Sequence, residues 1–121
     1  MKTSTNIAVL GAMLAGLALA APASAHPRLL GATPSANAPT PAPAEVRLRF
    51  SETLIAKYCA IAVTQRSGRP VPIGPTLLTP DHRQMVARLN SRLAPGAYRV
   101  TWRAVSTDTH RVGGSFGFVV R

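Results

Sequence analysis

The most regular feature of this sequence is a series of short segments in which apolar and polar side chains alternate. Residues 46–50 (Val-Arg-Leu-Arg-Phe) alternate strictly. Because successive side chains of a strand point to opposite faces of a sheet, this segment is predicted to be a half-buried strand with its arginines in water. The same pattern predicts strands at residues 59–64, 85–89, 97–105 and 115–120.

Each of these strands has one apolar face, and together the faces define the expected core. Its members are Cys59, Ile61 and Val63; Tyr98, Val100, Trp102 and Ala104; and Phe116, Phe118 and Val120. On such a face Cys59 is expected to be a small buried hydrophobe. As the only cysteine in the chain, it has no partner for an internal disulfide.

Proline, glycine and polar residues separate the strands. Residues 33–44 are predicted to be an irregular connection, 71–78 a proline-broken edge strand, and 106–114 a polar loop. No segment shows the 3.6-residue period of a long helix. Residues 26–32 are expected to be a start that leads into a further short strand. About seven short strands joined in this way predict an all-β, immunoglobulin-like fold, a Greek-key β-sandwich or barrel.

The N-terminus has the pattern of an export signal. Lys2 precedes an apolar run at residues 7–20, and small residues at Ala23 and Ala25 fit a signal peptidase site. The run is shorter than the roughly 20 residues that cross a bilayer, although an uncleaved anchor stays open as an alternative. We therefore expect residues 1–25 to be removed and residues 26–121 to form one exported domain.

The chain is strongly basic, with a formal net charge of +10. Such a charge attracts anionic lipids or nucleic acid, so a metal-free cationic surface-binding module is one possible function. The basic residues are dispersed, however, and aromatic side chains for stacking on bases are few. Together with export, this argues against a nucleic-acid partner.

The candidate chemistry lies with the histidines. Cleavage after Ala25 would free the α-amine of His26, and this nitrogen and the ring Nδ1 can chelate one metal ion. Asp108 and His110 are separated by one residue, so in an extended segment their side chains would point to the same side. Glu52 is a further oxygen ligand or a partner that orients an imidazole. His82 is expected on the surface, in a turn.

Nitrogen and carboxylate donors favour Cu(II), with Zn(II) as a competitor. A Cu(I) site built on methionine is excluded because Met85 is the only methionine after residue 25. A histidine-brace copper enzyme, similar to the lytic polysaccharide monooxygenases, is an alternative. The short chain, its few aromatic residues and the carboxylate at the metal argue against it.

Several motifs, taken together, resemble the CopC family of periplasmic copper-resistance proteins, soluble copper carriers that are related to YobA. They are His-Pro at residues 26–27, Thr-Pro at 33–34, and the segments 46–54, 93–105, 106–110 and 114–120. The resemblance implies a Greek-key β-barrel or sandwich and a Cu(II) site at His26, Asp108 and His110. In part of the family a glutamate that matches Glu52 lies at the copper.

The chain departs from the family pattern in two places. It has no methionine-rich loop, so it resembles the Cu(II)-only type. Arg111 follows His110 where proline is common, which would loosen the loop and put a positive charge near the metal. The resemblance also implies a non-catalytic, monomeric copper carrier or buffer in copper homeostasis. Its partner would be a separate inner-membrane transporter of the CopD type.

Overall fold

Eight strands and one short helical turn make up the described part of the chain. A computed structural model describes residues 26–121, so the predicted signal peptide lies outside the described residues. The strands are β1 (Leu29–Thr33), β2 (Pro39–Thr40), β3 (Glu45–Phe50), β4 (Ala60–Gln65), β5 (Leu77–Leu78), β6 (Gln84–Arg88), β7 (Gly96–Val105) and β8 (Arg111–Val120). A 3-10 turn at Ala56–Tyr58 precedes β4. Over residues 26–121, no helix is long and apolar enough to span a bilayer.

The strands form two four-stranded sheets. One has the order β1-β3-β6-β5 and the other β2-β8-β7-β4. Within the sheets β2 runs parallel to β8, whereas all the other neighbouring pairs are antiparallel. The chain passes repeatedly from one sheet to the other, which confirms the prediction of an all-β Greek-key sandwich.

The core lies between the two sheets and is built from the alternating faces seen in the sequence. Val46, Leu48 and Phe50 of β3 are fully buried, as are Val100 and Phe118 from the opposite sheet. Cys59 is buried as predicted. The Phe50 ring packs edge to face on Trp102, with ring centroids 5.1 Å apart. Trp102 is only half-buried because it lies at an opening between the sheets.

The structure has one strand beyond the seven segments expected, because β2 falls within the connection expected to be irregular. Its two residues pair with the end of β8, and Arg121 donates its backbone N–H to the Thr40 carbonyl. A two-residue strand is too short to show alternation. β5 occupies the edge position expected for the proline-broken segment.

The polar loop predicted at residues 106–114 is wrong in its extent, since β8 already begins at Arg111. Paired residues run from Gly96 and Val120 to Val105 and Arg111, so the connecting loop is only residues 106–110. The glycine pair at the start of β8 resembles a turn in sequence. In the structure, Gly114 lies under Trp102, where a Cβ atom would come within 2.8 Å of ring carbon Cζ2.

Both arginines of β3 were expected to be exposed to solvent, but they differ in burial. Arg49 is exposed, whereas Arg47 is half-buried. Arg47 donates hydrogen bonds of 3.1 and 3.2 Å to Glu45 and one of 3.2 Å to Gln84 on β6. Cross-strand pairing therefore holds Arg47 on the sheet surface.

Candidate metal centre

One end of the sandwich brings together residues from both ends of the described chain. His26 precedes β1, and His110 closes the loop between β7 and β8. Their imidazole rings meet edge to face, with centroids 4.4 Å apart and planes at 69°. The structure therefore pairs the two histidines that the sequence marked as candidate ligands.

The position of His26 is fixed by the residues that follow it. Pro27 is buried, while His26 itself is exposed. Arg28 donates its backbone N–H to Ser51 Oγ at 2.8 Å, and the Ser51 N–H donates to the Arg28 carbonyl at 2.9 Å. This double link to the end of β3 holds the start of the domain against the first sheet.

The loop at residues 106–110 is a tight turn, which corrects the expectation of an extended segment. Thr109 has a φ of 72°, and its N–H donates to the Ser106 carbonyl at 2.8 Å. The Ser106 N–H donates to the His110 carbonyl at 3.0 Å. Asp108 and His110 therefore approach each other through the turn and not by strand alternation.

Ser106, which was not among the residues predicted for the site, orders this turn. It is the buried polar residue of the described chain, with 1% of its surface exposed. Its hydroxyl donates to Asp108 Oδ1 and also approaches the His110 carbonyl at 3.4 Å. Serine and aspartate are both common turn residues, so Ser106 and Asp108 were an available signal for this turn.

The Asp108 carboxylate is held in its ionised form. The hydrogen bond from the Ser106 hydroxyl, followed by the interactions with His110, lowers the pKa of Asp108 below its ordinary value. Oδ1 of Asp108 lies 3.1 Å from Nδ1 of His110. A charged oxygen donor thus stands beside a ring nitrogen at neutral pH.

His110 carries an unsatisfied ring nitrogen. Its Nδ1 is close to Asp108 but not in hydrogen-bonding geometry, and within residues 26–121 it is buried without any hydrogen-bond partner. An unpaired buried nitrogen costs stability unless something else binds it. A nitrogen lone pair next to a carboxylate oxygen fits a divalent metal ion.

Glu52 lies at the same end of the sandwich as the two histidines, because the residues before and after it are hydrogen-bonded there. Ser51 bonds Arg28, and the Thr53 carbonyl accepts the N–H of Thr107 at 3.0 Å. Glu52 itself is half-buried. Among residues 26–121, no three His, Cys, Asp or Glu side chains are arranged as a complete metal-binding group. The structure thus brings His26 to His110 and Asp108 to His110, but does not add Glu52 to them.

His82 is exposed, as the sequence predicted. Its turn nevertheless lies at this end of the sandwich, because the His82 carbonyl accepts the Leu54 N–H at 2.8 Å and Leu54 pairs with Ser106. Pairing of this kind, between segments that are far apart along the chain, cannot be predicted from the local sequence.

Comparison with known proteins gives a consistent result. The CopC domain family matches residues 29–121. Copper resistance protein C of Escherichia coli is 36% identical over 124 aligned residues, which cover 96% of this chain and 97% of that protein. The copper transport protein CutJ of Bacillus subtilis is 32% identical over 79% of this chain, but the match covers only 18% of CutJ.

The fold also matches a solved structure. The crystal structure of PcoC, a methionine-rich copper resistance protein from Escherichia coli, superposes with a TM-score of 0.72 and 36% sequence identity. The match covers 80% of this chain and all of the PcoC chain.

Proposed function

The chain belongs to the CopC family, and we propose that it is a periplasmic Cu(II)-binding protein that carries or buffers copper in copper homeostasis and resistance. The observation that supports this most directly is the contact of His26 with His110, whose buried Nδ1 is unpaired beside the Asp108 carboxylate. Two imidazoles and a carboxylate are donors that Cu(II) accepts. Copper is then the cargo of the protein.

Removal of residues 1–25 would complete the donor set. The new N-terminus at His26 would offer its α-amine together with its ring nitrogen. Because a free α-amine ordinarily has a pKa of about 7.7–8.0, a metal displaces its proton at small cost. Residues 26–121 would then be the mature periplasmic domain. Glu52 is half-buried near the loop and would serve as a further ligand or orient one of the imidazoles.

The low sulfur content supports Cu(II) over Cu(I) as the proposed oxidation state. Met85 is the only methionine in residues 26–121, and it is fully buried in the core. PcoC is described as methionine-rich. Because thioethers are the ligands that favour Cu(I), this chain is better suited to Cu(II).

A carrier needs a protein to supply or receive its copper. CutJ carries a related segment that makes up less than a fifth of its length and is named a copper transport protein. By analogy, the partner here would be a separate membrane transporter of the CopD type, approached by a monomeric, non-catalytic carrier.

The test compares two purified forms of residues 26–121, one starting at His26 and one with a single alanine added before it. The first should bind one Cu(II) with a tetragonal electron paramagnetic resonance spectrum. Because disturbing groups around a metal ligand already costs about 10–100-fold in affinity, loss of the chelating amine should cost at least about 100-fold.

Equal copper affinity in the two forms would contradict the role of His26. Ascorbate-driven peroxide production is measured on the same samples. Sustained turnover, or polysaccharide cleavage, would favour the histidine-brace enzyme over the carrier. Zn(II) competition on the same samples tests the metal preference.

A further inference from the structure

A second candidate site lies beside the start of β1, on the end of the first sheet. Arg28, Arg49 and Arg83 line a surface groove of about 330 Å³ together with Ser51 and Asp81. The groove contains none of the candidate copper ligands. We refer to it as the arginine groove.

Ser51 holds the walls of the arginine groove together. Its side-chain hydroxyl and its backbone N–H are both hydrogen-bonded to the Arg28 backbone, as described above. Its carbonyl also accepts a hydrogen bond from Nη1 of Arg83 at 2.8 Å. The Arg83 carbonyl in turn accepts the Phe50 N–H at 2.8 Å. The backbone of Arg28 and the guanidinium of Arg83 are therefore fixed on either side of one residue at the end of β3.

Arg49 lies along the same strand and extends over β1. It is paired with Gly31, and a Cβ atom at Gly31 would come within 3.2 Å of Nη2 of Arg49. A larger residue at this position would push the guanidinium aside. The glycine thus leaves room for Arg49 to lie across the edge strand, next to the groove.

The positive charge of the groove is only partly neutralised within the described chain. Across residues 26–121, the side chains of Arg28 and Arg49 make no hydrogen bond and no ion pair with another side chain. Asp81 is the one acid in the lining, and it accepts hydrogen bonds from Thr79 Oγ1 at 2.5 Å and from the Arg83 backbone N–H at 3.1 Å. Three guanidinium groups therefore face a single carboxylate that is already bonded.

We propose that the arginine groove binds a phosphate-bearing anion. Guanidinium groups present a planar fork of donors that matches the oxygens of a phosphate, and several of them balance its double charge. The groove volume is near the lower end of small-ligand sites. A free phosphate compound and the headgroup of a phosphorylated lipid both present this chemistry.

The experiment measures binding of inorganic phosphate and pyrophosphate to the purified, copper-free protein by calorimetry and by amide chemical shifts, at constant ionic strength. Sedimentation with phosphatidylcholine vesicles, with and without phosphatidic acid, tests the lipid source. The groove variant is Arg28→Gln/Arg49→Gln, and Arg49→Gln alone leaves the β1 start untouched. The control is Arg69→Gln/Arg121→Gln, which removes the same charge at exposed positions elsewhere.

The expected result is saturable binding that perturbs the amides of residues 49–51 and 81–83. Since each lost charge-assisted contact weakens binding by about tenfold, Arg49→Gln should show that loss and the double variant more, while the control stays unchanged. Binding to phosphatidic acid vesicles alone identifies a lipid headgroup as the source, and binding of soluble phosphate identifies a free anion.

Equal weakening in the groove and control variants would overturn the proposal, because it would show a general effect of net charge. Absence of saturable binding to every probe would overturn it as well. Neither outcome affects the copper-binding proposal, which is tested separately with changes at His26 and His110.

Discussion

The imidazole rings of His26 and His110 lie 4.4 Å apart, although the two residues come from opposite ends of the described chain. Two unrelated anchors produce this contact. The hydrogen bonds between Arg28 and Ser51 fix the first residue, and the turn around Ser106 fixes the second. The candidate copper site is therefore a product of the sandwich and not of either segment alone.

His110 is expected to be essential for copper binding. Replacing it in His110→Ala removes the unpaired Nδ1 and should lower Cu(II) affinity by at least about 100-fold, as for any lost ligand. Competition titration with a chromogenic chelator measures the change. His82→Ala is the matched control, because His82 is exposed in a turn at the same end of the molecule. Equal losses in both variants would contradict the assignment of His110.

Ser106→Ala is expected to raise the pKa of Asp108. The Ser106 hydroxyl is the main cause of the lowered pKa, so its loss should return the carboxyl toward its ordinary value. Carbon-detected NMR titration of the Asp108 carboxyl checks this, with Ser115→Ala as the control because Ser115 bonds Arg99 on another surface. An unchanged Asp108 titration would refute the role of Ser106.

Ser106→Ala should also change how the free energy of unfolding depends on pH. A carboxyl with a lowered pKa in the folded state contributes stability that is fully present above its unfolded pKa and is lost as the pH falls through its folded pKa. The part of the stability difference between wild type and Ser106→Ala that depends on Asp108 should therefore be complete at neutral pH. It should begin to fall near the ordinary carboxyl pKa of about 4 and be lost as the pH drops through the lower folded pKa of Asp108. Urea unfolding from pH 2 to pH 7 measures it.

Gly114→Ala is expected to destabilise the fold. The new Cβ would come within 2.8 Å of Trp102, whose ring also packs on Phe50. Overpacking of this kind costs about 1–3 kcal/mol in the free energy of unfolding. Gly117→Ala on the same strand is the control, since its Cβ would lie 3.6 Å from the Tyr98 carbonyl, an ordinary contact. Similar urea midpoints for the two variants would contradict the tight fit at Trp102.

Cys59 is expected to be unreactive in the folded protein. Burial raises the pKa of its thiol, against smaller opposing effects of backbone hydrogen bonds and Arg103, so the reactive thiolate is scarce at neutral pH. Ellman's reagent should label it slowly in native buffer and completely in denaturant. Rapid labelling of the native protein would show that the thiol is accessible.

The alternating segments were enough to predict the fold class and most of the core. Residues 46–50 and 97–105 alternate because one face of each strand is buried and the other meets solvent. The alternating pattern failed to predict strands in which burial does not determine the residue types. β2 is too short to alternate, and the start of β8 contains a glycine pair whose second member, Gly114, is required by the packing of the Trp102 ring.

The candidate ligands His26, Asp108 and His110 were identified from residue chemistry and from the resemblance to the CopC family. Sequence alone could not describe the turn that joins Asp108 to His110, because that turn depends on a buried serine and a left-handed Thr109. Sequence alone also could not show that Glu52 and His82 lie at the same end of the sandwich as these ligands, because backbone pairing between distant segments places them there.

By itself, then, the sequence determined which residues are apolar, where strands alternate and which side chains can donate to a metal, because these are properties of residue type and local spacing. Only the tertiary structure decided which of those donors meet. Hydrogen bonds between distant segments bring His26 to His110 and leave the Nδ1 of His110 buried and unpaired beside Asp108. They also place three arginines around one groove, since strand pairing puts residues in contact that are far apart along the chain.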